Sequence, residues 1–339
     1  MMKRPTFRQP APQAGFSLVE LMIGLVIGLF ILLGVVLVYV SSARTTATNE
    51  ALSRVQESGR FGLYFLSRSI RQARFKSSCQ YDVNILLDES SADYDEKLFD
   101  LNAPVFGWND QPGDFAASIP DYVTGDVLIV KSAATASGVT LDGAGNRESN
   151  TITTLDPTNI ETGQIVFIGD GSGCDLFQNS ADPADRRLAK QQGGLTPGNK
   201  NEDWSRDFPE SVRVLLFESS LFYIGQGLDG RPALKQVSFN TGVASLDEEL
   251  VNGIEDMQIT YGEDTNADRN ADRYVTADAV ADWDDVVSVR VNLLAASLAT
   301  NVINEPQTLP EPWDGMADPG DGRVRRVFST TIAIRNHLL

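Results

Sequence analysis

The hydrophobic pattern opens with an apolar run over residues 16–40 that holds a single charged residue, Glu20. A helix rises 1.5 Å per residue, so this run can cross a bilayer core of about 30 Å. A cleaved secretory signal would have a shorter apolar region followed by a small-residue cleavage site, which is missing here. The run therefore predicts one membrane-spanning helix. The basic residues Lys3, Arg4 and Arg8 before it favour a cytoplasmic N-terminus.

After residue 40 the pattern becomes amphipathic, with small and apolar residues recurring at steps of three or four. Such a stripe is typical of a helix that packs along one face. It predicts a continuous helix from Phe16 to about Phe75, roughly 90 Å long. The first half would lie in a membrane and the second half against a folded head. A coiled coil is the competing interpretation, and the small residues and the short stripe disfavour it.

The remaining chain consists of short β-rich segments separated by clusters of Gly, Pro, Asn and Asp. These segments predict an α+β head in which an antiparallel sheet cradles the second half of the long helix. Three polar stretches, at about 85–120, 135–160 and 178–210, are predicted loops. The predicted strands cover residues 127–130, 165–168, 212–217, 221–224, 233–239, 254–261, 286–294 and 327–334.

Charge is distributed unevenly along the chain. Residues 1–75 carry nine basic and three acidic residues, whereas the remainder carries 19 basic and 43 acidic residues. Nucleic-acid binding depends on basic residues that neutralise phosphates, so a nucleic-acid partner is disfavoured. The single histidine, His337, rules out a multi-histidine metal site and leaves little scope for a Ser-His-Asp centre.

The sequence contains no nucleophile motif or phosphate loop, so we predict that the protein is not an enzyme. A Gly-x-Gly-x-x-Gly match at 225–230 is followed by Arg231 and Pro232 and then by a predicted strand. A dinucleotide site would need a helix at that point, so a hairpin turn is the better interpretation.

Two cysteines, Cys79 and Cys174, are too few for a four-cysteine zinc module and allow one disulfide. Outside the cytoplasm we expect that bond to form and to tie the end of the long helix to the sheet. The alternative is a pair of free, buried thiols.

The segment 264–272 has oxygen-bearing side chains at every second position. This spacing resembles the first half of an EF-hand-type calcium loop, but Arg269 replaces the glycine and Val275 replaces the glutamate of that motif. A calcium site and a solvated acidic turn both stay open. No cofactor is required, and Ca²⁺ is the one candidate ion. The candidate ligands are Asp264, Asn266, Asp268, Asn270 and Asp272.

The N-terminal stretch 15–22, Gly-Phe-Ser-Leu-Val-Glu-Leu-Met, resembles the signature of type IV prepilins. The resemblance implies cleavage between Gly15 and Phe16 by the prepilin peptidase and N-methylation of Phe16. Glu20 then becomes the fifth residue of the mature chain. An acid in a membrane span is costly unless a partner neutralises it. The freed amine of Phe16, on a neighbouring subunit or on the same helix, would be that partner during filament assembly.

Three further segments, at 56–61, 253–259 and 328–336, resemble the PilW group of minor pilins. The resemblance implies a pilin-like fold and a structural minor pilin that takes part in type IV pilus assembly, in initiation or at the filament tip. The alternatives are a minor pseudopilin of a type II secretion system and a pilus-tip adhesin.

The same resemblance implies four regions and a location. They are a leader peptide (1–15), a transmembrane or filament-core helix (16–40), an amphipathic second half of that helix (41–76) and an acidic, β-rich periplasmic head (77–339). The protein would cross the inner membrane once and then enter the pilus. Its partners would be other minor pilins, the major pilin, the prepilin peptidase and the inner-membrane assembly platform.

Overall fold

The computed structural model describes Gly15, residues 17–76, Cys79 and residues 81–334. Residues 1–14, Phe16 and 335–339 lie outside the described residues, as do His337 and the end of the third PilW-like segment. The helices are α1 (Leu18–Gln72) and the single turn α2 (Glu96–Phe99). The first strands are β1 (Asn84–Ile85), β2 (Val105–Trp108), β3 (Tyr122–Ala136), β4 (Thr151–Thr153), β5 (Ile165–Asp170), β6 (Gly173–Gln178) and β7 (Arg187–Ala189). The later strands are β8 (Arg213–Gln226), β9 (Pro232–Ser238), β10 (Glu248–Asn252), β11 (Ile254–Glu263), β12 (Arg273–Val275), β13 (Val286–Ala296) and β14 (Arg325–Ala333).

The described chain forms two compact units, residues 1–50 and residues 51–339, and α1 runs through the boundary. In the second unit α1 buries residues at steps of three or four, as the amphipathic stripe predicts. This part of the helix belongs to the head. The buried positions are Ala51, Val55, Gly59, Gly62, Leu66 and Ile70.

Helix α1 ends at Gln72, four residues before the predicted limit of 76. Arg74 has a positive φ of 58°, a conformation that no α-helix continues through. Its backbone N–H donates to the carbonyl of Lys131, and the N–H of Ala133 donates to the carbonyl of Phe75. The helix stops early because β3 captures the following backbone, an interaction that local sequence does not reveal.

The described residues of the head form two large sheets and one small one. The larger sheet has the order β1-β6-β5-β8-β3-β2, with β9 beside β8 and β10 beside β9. The second sheet has the order β12-β11-β13-β14, and β4 pairs with β7. All the pairs are antiparallel except β1 with β6. A long helix with its second half on an antiparallel-rich head confirms the predicted fold class.

The strands differ from the prediction in four respects. The prediction did not include β1, β6, β10 and β12, which lie outside the predicted strand segments. The predicted strands 212–217 and 221–224 form one strand, β8, which pairs with β5 at its start and with β9 at its end. The predicted loops contain β2, β4 and β7, which are short and are held by their partner strands rather than by their own pattern. The sequence predicts one sheet, whereas residues of two sheets form the hydrophobic core.

The second half of α1 packs on the four-stranded sheet. Val55, Leu66 and Ile70 share a core with residues of β11 and β13. A methyl group on Gly59 would come within 2.2 Å of the Phe328 ring on β14, and one on Gly62 within 2.7 Å of Leu293. Glycine at these two helix positions therefore lets the helix backbone approach the sheet closely.

The predicted disulfide between Cys79 and Cys174 is present. Its Cα atoms lie 6.1 Å apart, and both residues are buried in a second core between the larger sheet and the segment that follows α1. The bond ties the chain just beyond α1 to the start of β6 and closes a separation of 95 residues.

Substitution of Gly59 by alanine tests the helix–sheet contact. Alanine favours a helix interior by about 1 kcal/mol, yet the added methyl group would displace the Phe328 ring. We expect a net loss of about 1–3 kcal/mol in the free energy of unfolding, measured by thermal unfolding of the full chain in lipid nanodiscs. Gly34→Ala, where a methyl group meets nothing within 4 Å, is the control. Equal or higher stability of Gly59→Ala would contradict the close contact.

Reduction of the disulfide should lower the free energy of unfolding by about 2–5 kcal/mol, because it releases a long closed loop in the unfolded chain. Denaturant unfolding with and without reductant measures the change. In the double variant Cys79→Ser/Cys174→Ser the reductant should have no effect. Two titratable thiols in the unreduced protein would refute the bond.

Candidate functional site

The N-terminus of α1 is closed by a capping box. Ser17 precedes the first helical residue, and the backbone N–H of Val19 donates to its Oγ at 3.3 Å. In return the backbone N–H of Ser17 donates to Oε2 of Glu20 at 3.0 Å. This reciprocal pair satisfies two N–H groups that a helix start otherwise leaves without a partner. The carboxylate also lies at the positive end of the helix dipole.

The capping role of Glu20 is a local function that the sequence analysis missed. The signal was available, since Ser17 and Glu20 have the Ser-x-x-Glu spacing of a capping box. Gly15 is described and exposed, whereas Phe16 lies outside the described residues. Cleavage after Gly15, methylation of Phe16 and the assembly role of Glu20 stay predictions.

The first half of α1 carries an apolar surface with no partner in its own unit. Its large hydrophobic side chains between residues 18 and 40 are 42–75% exposed. Among the described residues this is the one helix long and apolar enough to span a membrane, with a mean hydropathy of 3.1 in its most apolar window. Around Gly24 and Gly28 no atom lies where a side chain would begin. A surface of this kind indicates membrane anchoring.

The three PilW-like segments meet in space. Gly59, from the segment 56–61, contacts Phe328, which opens the third segment. Gly62 follows the first segment and lies near Ile254 of the second. Residues as far apart in sequence as Gly59 and Phe328 therefore build one interface between α1, β11 and β14.

A buried ionic network holds the start of β14 to the start of β11. Arg325 is only 6% exposed and makes two hydrogen bonds to Glu255, at 2.6 and 3.1 Å. It makes two more to Asp321, at 2.9 and 2.7 Å. Arg323 also contacts Glu255 at 3.2 Å. Bidentate pairs of this kind fix geometry as well as charge, and sequence reasoning identified none of these partners.

Aspartates connect the two sheets beside this network. Asp126 of β3 accepts hydrogen bonds from the backbone N–H groups of Ile259, at 2.6 Å, and Asp110, at 2.9 Å. Burial raises the pKa of Asp126 to about 7. Asp256 accepts from the indole N–H of Trp313 at 2.7 Å and so anchors the long segment before β14. Each of these two carboxylates therefore has hydrogen-bond partners within the fold.

The acidic segment 264–272 forms a tight loop between β11 and β12. Asp264 accepts hydrogen bonds from the backbone N–H groups of Asn266, Asp268 and Arg269, at 2.6–3.2 Å. Asp272 accepts from Thr265 and from the side chain of Asn266, while Asn270 donates to Asp268. Within the described part of the chain, no cluster of three or more His, Cys, Asp or Glu side chains is arranged to hold a metal. The calcium site stays a prediction.

The glycine motif at 225–230 lies in a hairpin, as expected. Gln226, at the end of β8, pairs with Pro232 at the start of β9. The N–H of Gly227 donates to the carbonyl of Arg231 at 2.6 Å and closes the turn.

Two protein-family models match the sequence. The family described as Type IV Pilus-assembly protein W matches residues 221–336, and the Prokaryotic N-terminal methylation motif matches residues 11–36. No curated protein matches the chain. Among solved structures, a type IV-like pilin from Thermus thermophilus is similar at 14% identity, over 51% of this chain and 84% of that chain, with a TM-score of 0.22. A likeness that low supports no argument about fold or function.

The matches cover the methylation signature at one end and the chain from within β8 to β14 at the other. The capping box lies within the first match and the Arg325 network within the second. The chain is therefore PilW-like over residues 221–336 and carries a prepilin-type methylation signature at residues 11–36. Proteins of this family are in general structural rather than enzymatic.

Acid should weaken the Arg325 network. Hydrogen bonds from Arg325 hold the pKa of Asp321 at about 2, below its ordinary value of 3.8. A depressed folded-state pKa adds stability that is complete above the unfolded value and is lost as the pH falls from about 4 to about 2. Between pH 5 and pH 2 the unfolding temperature should therefore fall less for Asp321→Asn than for the unchanged protein. The exposed Asp278→Asn serves as the control, and parallel curves for all three would contradict the network.

Proposed function

We propose that this protein is a minor subunit of a type IV pilus that acts in initiation of the filament or at its tip. It is cleaved after Gly15, methylated at Phe16 and anchored in the inner membrane with its head in the periplasm. It then enters the filament through the first half of α1. The observation that carries the proposal is a prepilin-type N-terminus on an exposed apolar half-helix that continues into a PilW-like head.

The position of Glu20 supports a role for its charge. Its carboxylate already lies beside the backbone of Ser17, the residue that follows Phe16. Cleavage would place a positively charged amine on the neighbouring position. In a low-dielectric filament core that amine and a carboxylate would form an ion pair, because either charge alone is costly to bury. The capping box would keep the carboxylate at the helix end until a subunit supplies its partner.

The outer face of the second half of α1 offers a contact surface for other subunits. Arg54, Arg60 and Arg68 are exposed and make no ion pair within the described residues, and Phe61 and Tyr64 are 50% and 57% exposed. Because cationic and aromatic side chains are frequent anchors of protein interfaces, this face suits neighbouring pilins. The proposed partners are other minor pilins, the major pilin, the prepilin peptidase and the assembly platform.

Mature N-terminal sequencing and two substitutions test the proposal. The mature chain should begin with N-methylated Phe16. Glu20→Gln keeps an acceptor for the Ser17 N–H but removes the charge, while Glu20→Ala removes both. Loss of one partner from a buried ion pair costs about 3–5 kcal/mol, so both variants should be processed and inserted but incorporated roughly a hundredfold less. Immunoblots of sheared pili against membranes measure incorporation.

Glu50→Ala, an exposed acid further along α1, is the matched control and should assemble normally. If Glu20→Gln assembles normally and Glu20→Ala does not, capping alone explains the residue. If both variants assemble normally, the proposed assembly role is wrong.

A further inference from the structure

A cavity of about 410 Å³ opens in the head where α2, β2, β3 and the turn before β13 come together. Its volume lies in the roughly 300–1,000 Å³ range of small-molecule sites. It is distant in sequence from the prepilin signature, and neither the pilus-assembly role nor the PilW-like interface uses it.

One wall of the cavity is aromatic. The rings of Phe106 and Trp283 lie 4.5 Å apart between centroids, and Trp283 also meets the ring of Tyr261 edge-on at 4.8 Å. Trp108, Trp204 and Trp313 are buried, whereas Trp283 is only partly buried and lines the opening. These contacts hold the indole in place and leave it beside the cavity.

Carboxylates face this wall. Glu96, Asp100, Asp282 and Asp284 line the cavity, and none of them is in an ion pair among the described residues. Asp100 and Asp282 each accept one backbone N–H, which leaves further acceptor sites on every carboxylate.

A buried ammonium completes the lining. Lys131 of β3 is fully buried, and its side-chain ammonium makes one hydrogen bond in the described part of the chain, to the carbonyl of Glu96 at 3.5 Å. An ammonium has three N–H donors, so two of them have no protein acceptor there. Buried charged donors normally find partners, because leaving them without one is costly. These two donors are therefore available to an oxygen acceptor inside the cavity.

The mixture of charges selects the class of ligand. Four carboxylates would repel an anion, while the ammonium group of Lys131 disfavours a cation beside it. Lys97, the other lysine of the lining, is ion-paired with Asp95 and Asp114. A neutral polyhydroxyl compound can bind to lining groups of both charges, since its hydroxyl groups donate to carboxylates and its oxygens accept from an ammonium. Its C–H face would rest against the electron-rich face of an aromatic ring.

We propose that this cavity binds a neutral saccharide, with Trp283 as the stacking ring and Glu96 and Asp284 as hydroxyl acceptors. Binding does not depend on the proposed pilus-assembly role, because the residues concerned all lie in the head. The site gives a filament subunit a means of contacting a glycan-bearing surface.

Saturation-transfer NMR on the full chain tests the proposal, with the protein in nanodiscs free of glycolipids and sugar detergents. The probes are methyl glycosides of glucose, galactose, mannose, N-acetylglucosamine and N-acetylgalactosamine at millimolar concentration. At least one should receive saturation, and Glu96→Gln and Asp284→Asn should each weaken its binding by about tenfold. Both side chains are exposed, so the variants should unfold at the same temperature as the parent.

Asp278→Asn, an exposed acid outside the cavity, is the matched control and should bind as the parent does. Absence of saturation for all five glycosides overturns the proposal, and so does binding that Asp284→Asn leaves unchanged. N-acetylarginine methylamide is the competing probe. Its binding in place of the glycosides would assign the cavity to a cationic protein side chain instead.

Discussion

Helix α1 has to be stable in two different environments, and the rest of the structure follows from that requirement. Up to Glu50 its apolar side chains are exposed, and from Ala51 onward one face is buried against a sheet. Exposed apolar area of that extent is unfavourable in water, at roughly 25 cal/mol per Å². The first half therefore demands a membrane or other apolar partners. The second half needs a head whose core it completes.

The docking of α1 depends on close approach rather than on charge. Gly59 and Gly62 lie where any side chain would collide with β13 or β14, so the helix backbone sits directly on the sheet. Around this contact the ion pairs of Arg325 fix the start of β14 relative to β11. The disulfide fixes the chain beyond the helix end to the larger sheet. Three different interactions thus hold the helix, the four-stranded sheet and the larger sheet in one compact unit.

Glu20 illustrates how one residue can act at two stages. In the single chain its carboxylate accepts the Ser17 N–H and closes the helix start. That interaction is a hydrogen bond, and among the described residues the carboxylate makes no ion pair. The proposed assembly step adds the partner. A carboxylate that is already positioned at the helix end loses little conformational entropy when the partner arrives.

Several features could be predicted from the sequence because they depend on local pattern. The apolar run, the one-sided stripe of α1, the two cysteines and the hairpin at 225–230 each have a signal within a short window, and each has the predicted place in the structure. The strands β13 and β14 could also be predicted, because apolar and polar residues alternate over parts of both segments. The prepilin signature and the PilW-like segments could be recognised for the same reason, because each of them is a contiguous stretch of sequence.

The features that depend on residues far apart in sequence were decided by the tertiary structure. Helix α1 stops at Gln72 because β3 binds the next backbone groups, and β2, β4 and β7 are strands because longer neighbours pair with them. The pairing of Arg325 with Glu255 spans 70 positions, and Lys131 reaches its cavity only after two sheets and α2 come together. Sequence fixes which side chains are apolar, charged or small. Which of them meet is set by packing over long separations, where a local pattern carries no information about the partner.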